Sequence, residues 1–341
     1  MWRTILQTIA GLRSFDFGRG VETTTVAILG TRYADTSIEE RILGPRGVRL
    51  VRGEGATSEE IVAVAGGAQV VLTGARPRFD ANVIKRLKCL GIVRHGVGVE
   101  SIDLDEAARA GMWVAYVPDY GTEAVALHAV TMVLASIRRL PAADALVRRG
   151  SWGIDPLRPL HAPTSLAVGI VGLGRIGRRV AELLAPFGFR LLGYDPRVEV
   201  AELGLKTARS IEDLLAGSDI VTLHAPGRAD GSPLLGAPEL NAMKPGAVVV
   251  NTARGTLIDQ SALVAGLARG TPGLAALDVF EYEPPRDAFD EVLDKMILTP
   301  HMAWYTEETE RDLRIKAAEE ALRILDGRPP TNIAAGPGGR P

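Results

Sequence analysis

The chain has 341 residues with 39 basic and 41 acidic side chains, a net charge of −2, so nothing in its charge calls for nucleic acid or an anionic membrane as partner. That length accommodates two domains, each with its own core, and no apolar run reaches the length needed to span a bilayer. Cys89 is the one cysteine, which excludes an internal disulfide and fits a reducing compartment. Its expected place is a small buried apolar position.

The N-terminal residues 1–23 precede the first strand and read as an extension without the apolar core and cleavage site of an export signal. The expected setting is therefore the cytoplasm. From residue 24, short apolar runs at 26–29, 48–51, 70–72, 92–94 and 113–115 alternate with helical segments, the pattern of a parallel, flavodoxin-like α/β domain. Ser37 with Glu40, and Ser58 with the acids after it, mark helix starts. Gly96-Val-Gly-Val99 follows the fourth run, and two glycines there free consecutive amides to form an anion nest from Val97, Gly98 and Val99. Residues 122–139 read as a long apolar helix, interrupted at Pro141 and resumed to 149, bridging two domains.

A proline-rich loop over 152–164 leads into a second domain, with strands expected near 166–171, 190–195, 219–224, 247–251, 274–279 and 297–299. The first of these enters Gly172-Leu-Gly-Arg-Ile-Gly177, a G-x-G-x-x-G element opening a helix. Gly172 permits a tight turn, Gly174 lets a pyrophosphate reach the backbone, and Gly177 brings helix and strand together. Asp195 follows eighteen residues after Gly177, at the end of the next strand, where a carboxylate accepts from adenosine ribose hydroxyls and repels a 2′-phosphate. NAD is thus favoured over NADP, with Arg197 a mild counterweight. A helix over 307–325, stopped by Gly327, returns to the first domain, and residues 334–341 read as a flexible tail. The expected organisation is a doubly wound dinucleotide-binding sheet over 128–301, inserted into a discontinuous substrate domain over 24–127 and 302–333, with a cleft between them.

Three consecutive strands of the second domain end in residues suited to reducing a 2-oxo acid. Arg254, in Asn251-Thr-Ala-Arg-Gly255, can hold a carboxylate through two parallel bonds and polarise the neighbouring carbonyl. His301, in Thr299-Pro-His301, can donate a proton to the oxygen as hydride reaches carbon. Glu283 can bond the far ring nitrogen, orienting the imidazole and favouring its protonated form.

These elements, with Asp278-Val-Phe and Glu283-Pro284, resemble the D-isomer-specific 2-hydroxyacid dehydrogenase family in order and spacing, over residues 25–330. The resemblance implies a homodimer of two-domain subunits, catalysis by Arg254, Glu283 and His301, and a substrate carboxylate held by the amides of the Gly96 to Val99 loop. It assigns the cofactor to Gly172, Gly174, Arg175, Ile176, Gly177, Asp195, His224, Thr252 and Asp278, with no metal. The partner expected is a small anionic 2-oxo or 2-hydroxy acid. Val117-Pro-Asp-Tyr-Gly-Thr-Glu123 and His301-Met-Ala-Trp-Tyr-Thr-Glu307 resemble the branch related to the C-terminal-binding-protein corepressors, which implies that Trp304 faces the substrate side chain. Two departures stand out: Glu100-Ser101 replaces an Asp-Asn pair, and residues 227–235 lack the usual threonine and glutamate. Arg94 and His95 offer positive charge for a second anionic group, such as a phosphonate or another carboxylate. Alternative readings are an NADH-sensing binding protein of the corepressor kind, and a dehydrogenase of a phosphorylated or phosphonate substrate. The sequence shows no added domain after residue 330, unlike the longer phosphoglycerate dehydrogenases.

Overall fold

The computed structural model describes residues 23–228, 230–285 and 289–340. The extension expected over 1–23 therefore lies, except for its last residue, outside the described residues. Contacts divide the chain into two compact units: one of the residues up to Pro118 together with those from Arg311 onward, the other Asp119–Glu310. The expected boundaries were 127/128 and 301/302.

The first unit is built on a six-stranded sheet of β1 (Thr25–Leu29), β2 (Arg49–Gly53), β3 (Val70–Thr73), β4 (Gly91–Arg94), β5 (Trp113–Tyr116) and, from the C-terminal end of the chain, β13 (Ile333–Ala335). Its order is β13-β5-β4-β3-β1-β2. The strands β1 to β5 pair in parallel and give the flavodoxin-like order. Because both faces of such a sheet are covered, β1 and β3 are apolar and buried throughout. Cys89 lies in this core, 5 % exposed.

The tail is where expectation and structure part. Residues 334–341 were expected to be flexible, yet Ile333–Ala335 pairs antiparallel with β5. An unpaired β5 edge would expose a row of N–H and C=O groups, and β13 caps it. Gly336 then lies so close to the Trp113 ring that a Cβ would fall 2.4 Å from it. A glycine-rich composition therefore marks close packing here.

The second unit carries β6 (Ala167–Val171), β7 (Arg190–Tyr194), β8 (Lys206–Thr207), β9 (Ile220–Leu223), β10 (Val248–Asn251), β11 (Leu274–Leu277) and β12 (Met296–Leu298). They form one parallel sheet in the order β12-β11-β10-β9-β6-β7-β8. Six strands were expected; the seventh, β8, has two exposed residues and so carries no hydrophobic pattern. Alternation builds two cores from one strand: Val248 and Val250 join one apolar cluster, and Val249 the other. The order reverses between β6 and β9, which places a ligand crevice beyond their carboxyl ends.

The long helix breaks earlier than expected. It runs Thr122–Ile137, Arg139 turns left-handed at φ 47, and a second helix begins at Leu140. Pro141 lies in the first turn of that second helix, where its missing N–H has no helical partner to lose. Among the described residues no single helix is long and apolar enough to cross a membrane.

Candidate active site

The cofactor end of the second unit begins where β6 runs into the glycine element. Gly172 has φ +87, and a Cβ there would lie 2.7 Å from the Ala225 amide nitrogen. Gly177 approaches the Gly172 carbonyl so closely that a Cβ would sit 1.9 Å from its oxygen. Nothing stands within 4 Å of the Cβ position of Gly174, the N-cap of the Arg175–Leu184 helix. The first amides of that helix have no intrahelical acceptor, as pyrophosphate binding requires. Arg175 is exposed beside it, whereas the Ile176 side chain packs on the core.

Asp195 closes the next strand with its carboxylate fixed at both oxygens. Oδ2 accepts from the Leu173 amide at 2.8 Å and Oδ1 from the Arg197 amide at 2.8 Å. Each oxygen keeps a second lone pair for a ribose hydroxyl. His224 pairs Nε2 with Thr222 Oγ1 at 2.9 Å, and desolvation pushes its pKa down to about 3, so the ring is neutral. Thr252 is 7 % exposed and its hydroxyl has no protein partner among the described residues, a polar atom awaiting a ligand. These features together fit a bound dinucleotide.

The reactive residues come from the carboxyl ends of β10, β11 and β12. Asn251, fully buried, ties the loop after β10 by donating from Nδ2 to the Arg254 carbonyl at 2.8 Å and accepting from the Ala253 amide at 3.0 Å. Arg254 follows, its Nη1 2.8 Å from the Ala253 carbonyl. Gly255 must be glycine, because a Cβ would lie 1.9 Å from the Phe280 carbonyl carbon and oxygen. This contact presses the Arg254 loop against the segment carrying Glu283.

Glu283 takes His301 Nδ1 on Oε2 at 2.8 Å and the Phe280 amide on Oε1 at 3.2 Å. Partial burial raises its pKa, but the bond and charge of His301, the Phe280 amide and the charge of Arg254 outweigh that and leave it lowered. The carboxylate is thus held ionised against the imidazole. His301 has φ 53, a left-handed backbone that costs a non-glycine residue about 1–3 kcal/mol. Its turn is held by Asp278, 1 % exposed, which accepts from Met302 N and Ala303 N, each at 2.9 Å, and from Thr299 Oγ1 at 2.6 Å. Asp278, expected from sequence to be a cofactor ligand, is here occupied in shaping the turn that carries His301. Trp304 is half-buried in an edge-on aromatic group with Tyr120 at 6.1 Å and Tyr305 at 5.6 Å.

In the first unit, the loop after β4 has Gly96 at φ +137, and the amides of Val97, Gly98 and Val99 donate to no protein acceptor among the described residues. Amides without a protein acceptor are what the expected anion nest needs. His95, by contrast, is buried with both ring nitrogens unpartnered, and burial with the charges of Arg94 and Arg314 pushes its pKa down to about 3. The expectation of positive charge on His95 is corrected: a desolvated imidazole beside two guanidiniums stays neutral. Arg94 turns its guanidinium back onto the His95 carbonyl.

A sequence model of the family described as D-isomer specific 2-hydroxyacid dehydrogenase, NAD binding domain, matches residues 130–303. The glyoxylate reductase of Aeropyrum pernix is 37% identical over 290 residues, covering 81% of this chain and 85% of that protein. The chain belongs to the D-isomer specific 2-hydroxyacid dehydrogenase family. The D-3-phosphoglycerate dehydrogenase of Methanocaldococcus jannaschii is 35% identical over 283 residues, 82% of this chain and 54% of that protein. The chain thus spans about half the length of the phosphoglycerate dehydrogenases it matches. Among solved structures, D-lactate dehydrogenase of Aquifex aeolicus complexed with NAD and lactic acid superimposes with a TM-score of 0.82 at 25% identity, covering 92% of this chain and all of that one. For this family member the cofactor is NAD, and the fold is the pair of α/β units expected from sequence, with the antiparallel β13 added to the first sheet.

Asn251 and Thr299 stand inside the strand-end motifs with no role expected for either, and His128 lies unmarked within the helix expected over 122–139. Asn251 had a signal, since a short amide at a strand end can bond its own loop. His128 had none, because its partner Thr299 stands 171 positions away.

Proposed function

We propose that the chain is an NAD-dependent oxidoreductase interconverting a small 2-oxo acid and the D-2-hydroxy acid. The observation that carries this reading is the 2.8 Å bond between His301 Nδ1 and Glu283 Oε2, in a pair whose carboxylate feels the charge of Arg254. With Nδ1 occupied, Nε2 is the ring's working end. Protonated His301 gives its Nε2 proton to the substrate oxygen and relaxes to the Nδ1–H tautomer that Glu283 already holds. The reverse reaction runs the same path backwards. Arg254 clamps the carboxylate and polarises the carbonyl, and in the first unit the amides of Val97, Gly98 and Val99 are assigned to carboxylate binding. NAD, when bound, exchanges the hydride with the substrate carbon.

Asp195 supports NAD over NADP through its fixed carboxylate. Trp304 is assigned to the substrate side-chain wall. Neutral His95 removes one of the two cations foreseen for a second anionic group, which favours a substrate charged only at its carboxylate. Exposed Leu140, Val147, Trp152 and Ile154 support a homodimer using this segment, the near-neutral charge speaks against nucleic acid or membrane as partner, and the lone Cys89 supports a reducing, cytoplasmic setting.

The test is NADH oxidation across 2-oxo acids with small, branched, thioether, aromatic, dicarboxylate and phosphonate side chains. The reading expects kcat/KM above about 10⁴ M⁻¹s⁻¹ for a singly charged member. Tight NADH binding with no turnover across the panel would overturn it.

A further inference from the structure

Behind the catalytic turn lies a chain of hydrogen bonds that the chemistry above does not use. His128, on the Thr122–Ile137 helix with a side chain 19% exposed, places Nε2 3.1 Å from Thr299 Oγ1 and 3.7 Å from Asp278 Oδ1. Thr299 Oγ1 lies 2.6 Å from Asp278 Oδ1, and Asp278 also takes the amides of Met302 and Ala303. A threonine hydroxyl has one proton, and a carboxylate has none to give. Thr299 therefore donates to Asp278 and accepts from His128, which places a proton on His128 Nε2. The relay joins a helix, the end of β11 and the end of β12 at the turn where His301, a non-glycine residue, is held left-handed.

We propose that His128 and Thr299 are positioning residues that act through Asp278 to set the backbone of His301, and so the aim of its Nε2. The inference rests on the acid/base reading of His301. A misdirected imidazole still permits NADH and the 2-oxo acid to bind, but it meets the developing alkoxide poorly. Loss of the relay must then appear in kcat rather than in KM.

The experiment compares wild type, Thr299→Val, Thr299→Ser, His128→Leu, His128→Gln and His301→Asn in full-length protein. Thr299→Val and His128→Leu are expected to lose about tenfold or more in kcat, with KM for the 2-oxo acid and the NADH dissociation constant within about twofold. Thr299→Ser and His128→Gln, which keep a hydroxyl and an N–H donor, recover most of that loss. A purely structural role would depress stability and binding together and would not follow the donor. In parallel, long-range ¹H–¹⁵N spectra of the wild-type ring are expected to show His128 protonated at Nε2, with that preference lost in Thr299→Val. An Nδ1–H tautomer would overturn the relay whatever the activity. If wild type turns over and His301→Asn is dead while Thr299→Val keeps full kcat, the positioning role alone fails. If wild type reduces no 2-oxo acid, the acid/base reading fails, and the relay is then decided by the tautomer spectrum.

Discussion

Glu283 sits between opposing influences: partial burial pushes its pKa up, while His301, the Phe280 amide and Arg254 pull it down and prevail. A carboxylate with a lowered folded pKa contributes stability that is present above its unfolded value and lost as pH falls through the folded one. Glu283→Gln is therefore expected to be less stable than wild type near neutrality, with the gap closing on acidification below the ordinary carboxylate range. Urea denaturation of both proteins across pH measures this, and a gap that widens in acid would contradict it. Arg254→Ala is expected to lose about 10³-fold or more in kcat/KM, roughly 4 kcal/mol of transition-state stabilisation, with NADH affinity retained. Near wild-type turnover would remove the carboxylate clamp from the account. That Glu283 and His301 meet, with Arg254 near enough for its charge to act on Glu283, was legible in sequence because all three follow apolar strands, and parallel strands deliver such residues to one edge. His95 was misread because its neutrality comes from burial beside Arg94 and Arg314, which local sequence does not encode.

At the scale of elements, the loop after β10 shows how one missing side chain positions a reactive one. Gly255 lets that loop touch the Phe280 carbonyl, backbone against backbone, so neither neighbour can rotate away. Gly255→Ala is expected to cost about 3 kcal/mol or more and to impair turnover by displacing Arg254. Thermal unfolding with parallel kinetics checks it; an unchanged melting temperature would show that the loop has more freedom than this contact allows. Strand positions in both sheets were legible from apolar runs bounded by turn residues. The helix break at Arg139 and the edge strand β13 were not, because each depends on what the segment packs against. Pro141 suggested a break at itself, whereas proline is tolerated in a first helical turn and the chain turns two residues earlier.

Over the whole molecule, the chain returns its C-terminal segment to the first unit, and a buried ion pair fixes that return. Arg314 donates from Nε and Nη2 to Glu39 at 2.9 and 2.7 Å, with Glu39 0% exposed, and its guanidinium carbon lies 4.6 Å from the centroid of the Tyr33 ring. Arg314→Met is expected to destabilise the protein by about 3–5 kcal/mol, because it strands a buried carboxylate, and adding Glu39→Leu is expected to recover much of that. Denaturant unfolding of the single and double variants decides it; additive losses would contradict the coupling. The two-domain plan was legible from composition and strand rhythm, while this pairing across 275 positions was not. The central claim, hydride exchange between NAD and the second carbon of a small acid, is tested most directly by label transfer. NADH carrying deuterium at both positions of ring carbon 4, incubated with the best 2-oxo acid, is predicted to yield the D-2-hydroxy acid with one deuterium at carbon 2. An unlabelled product, or the L isomer, would contradict it.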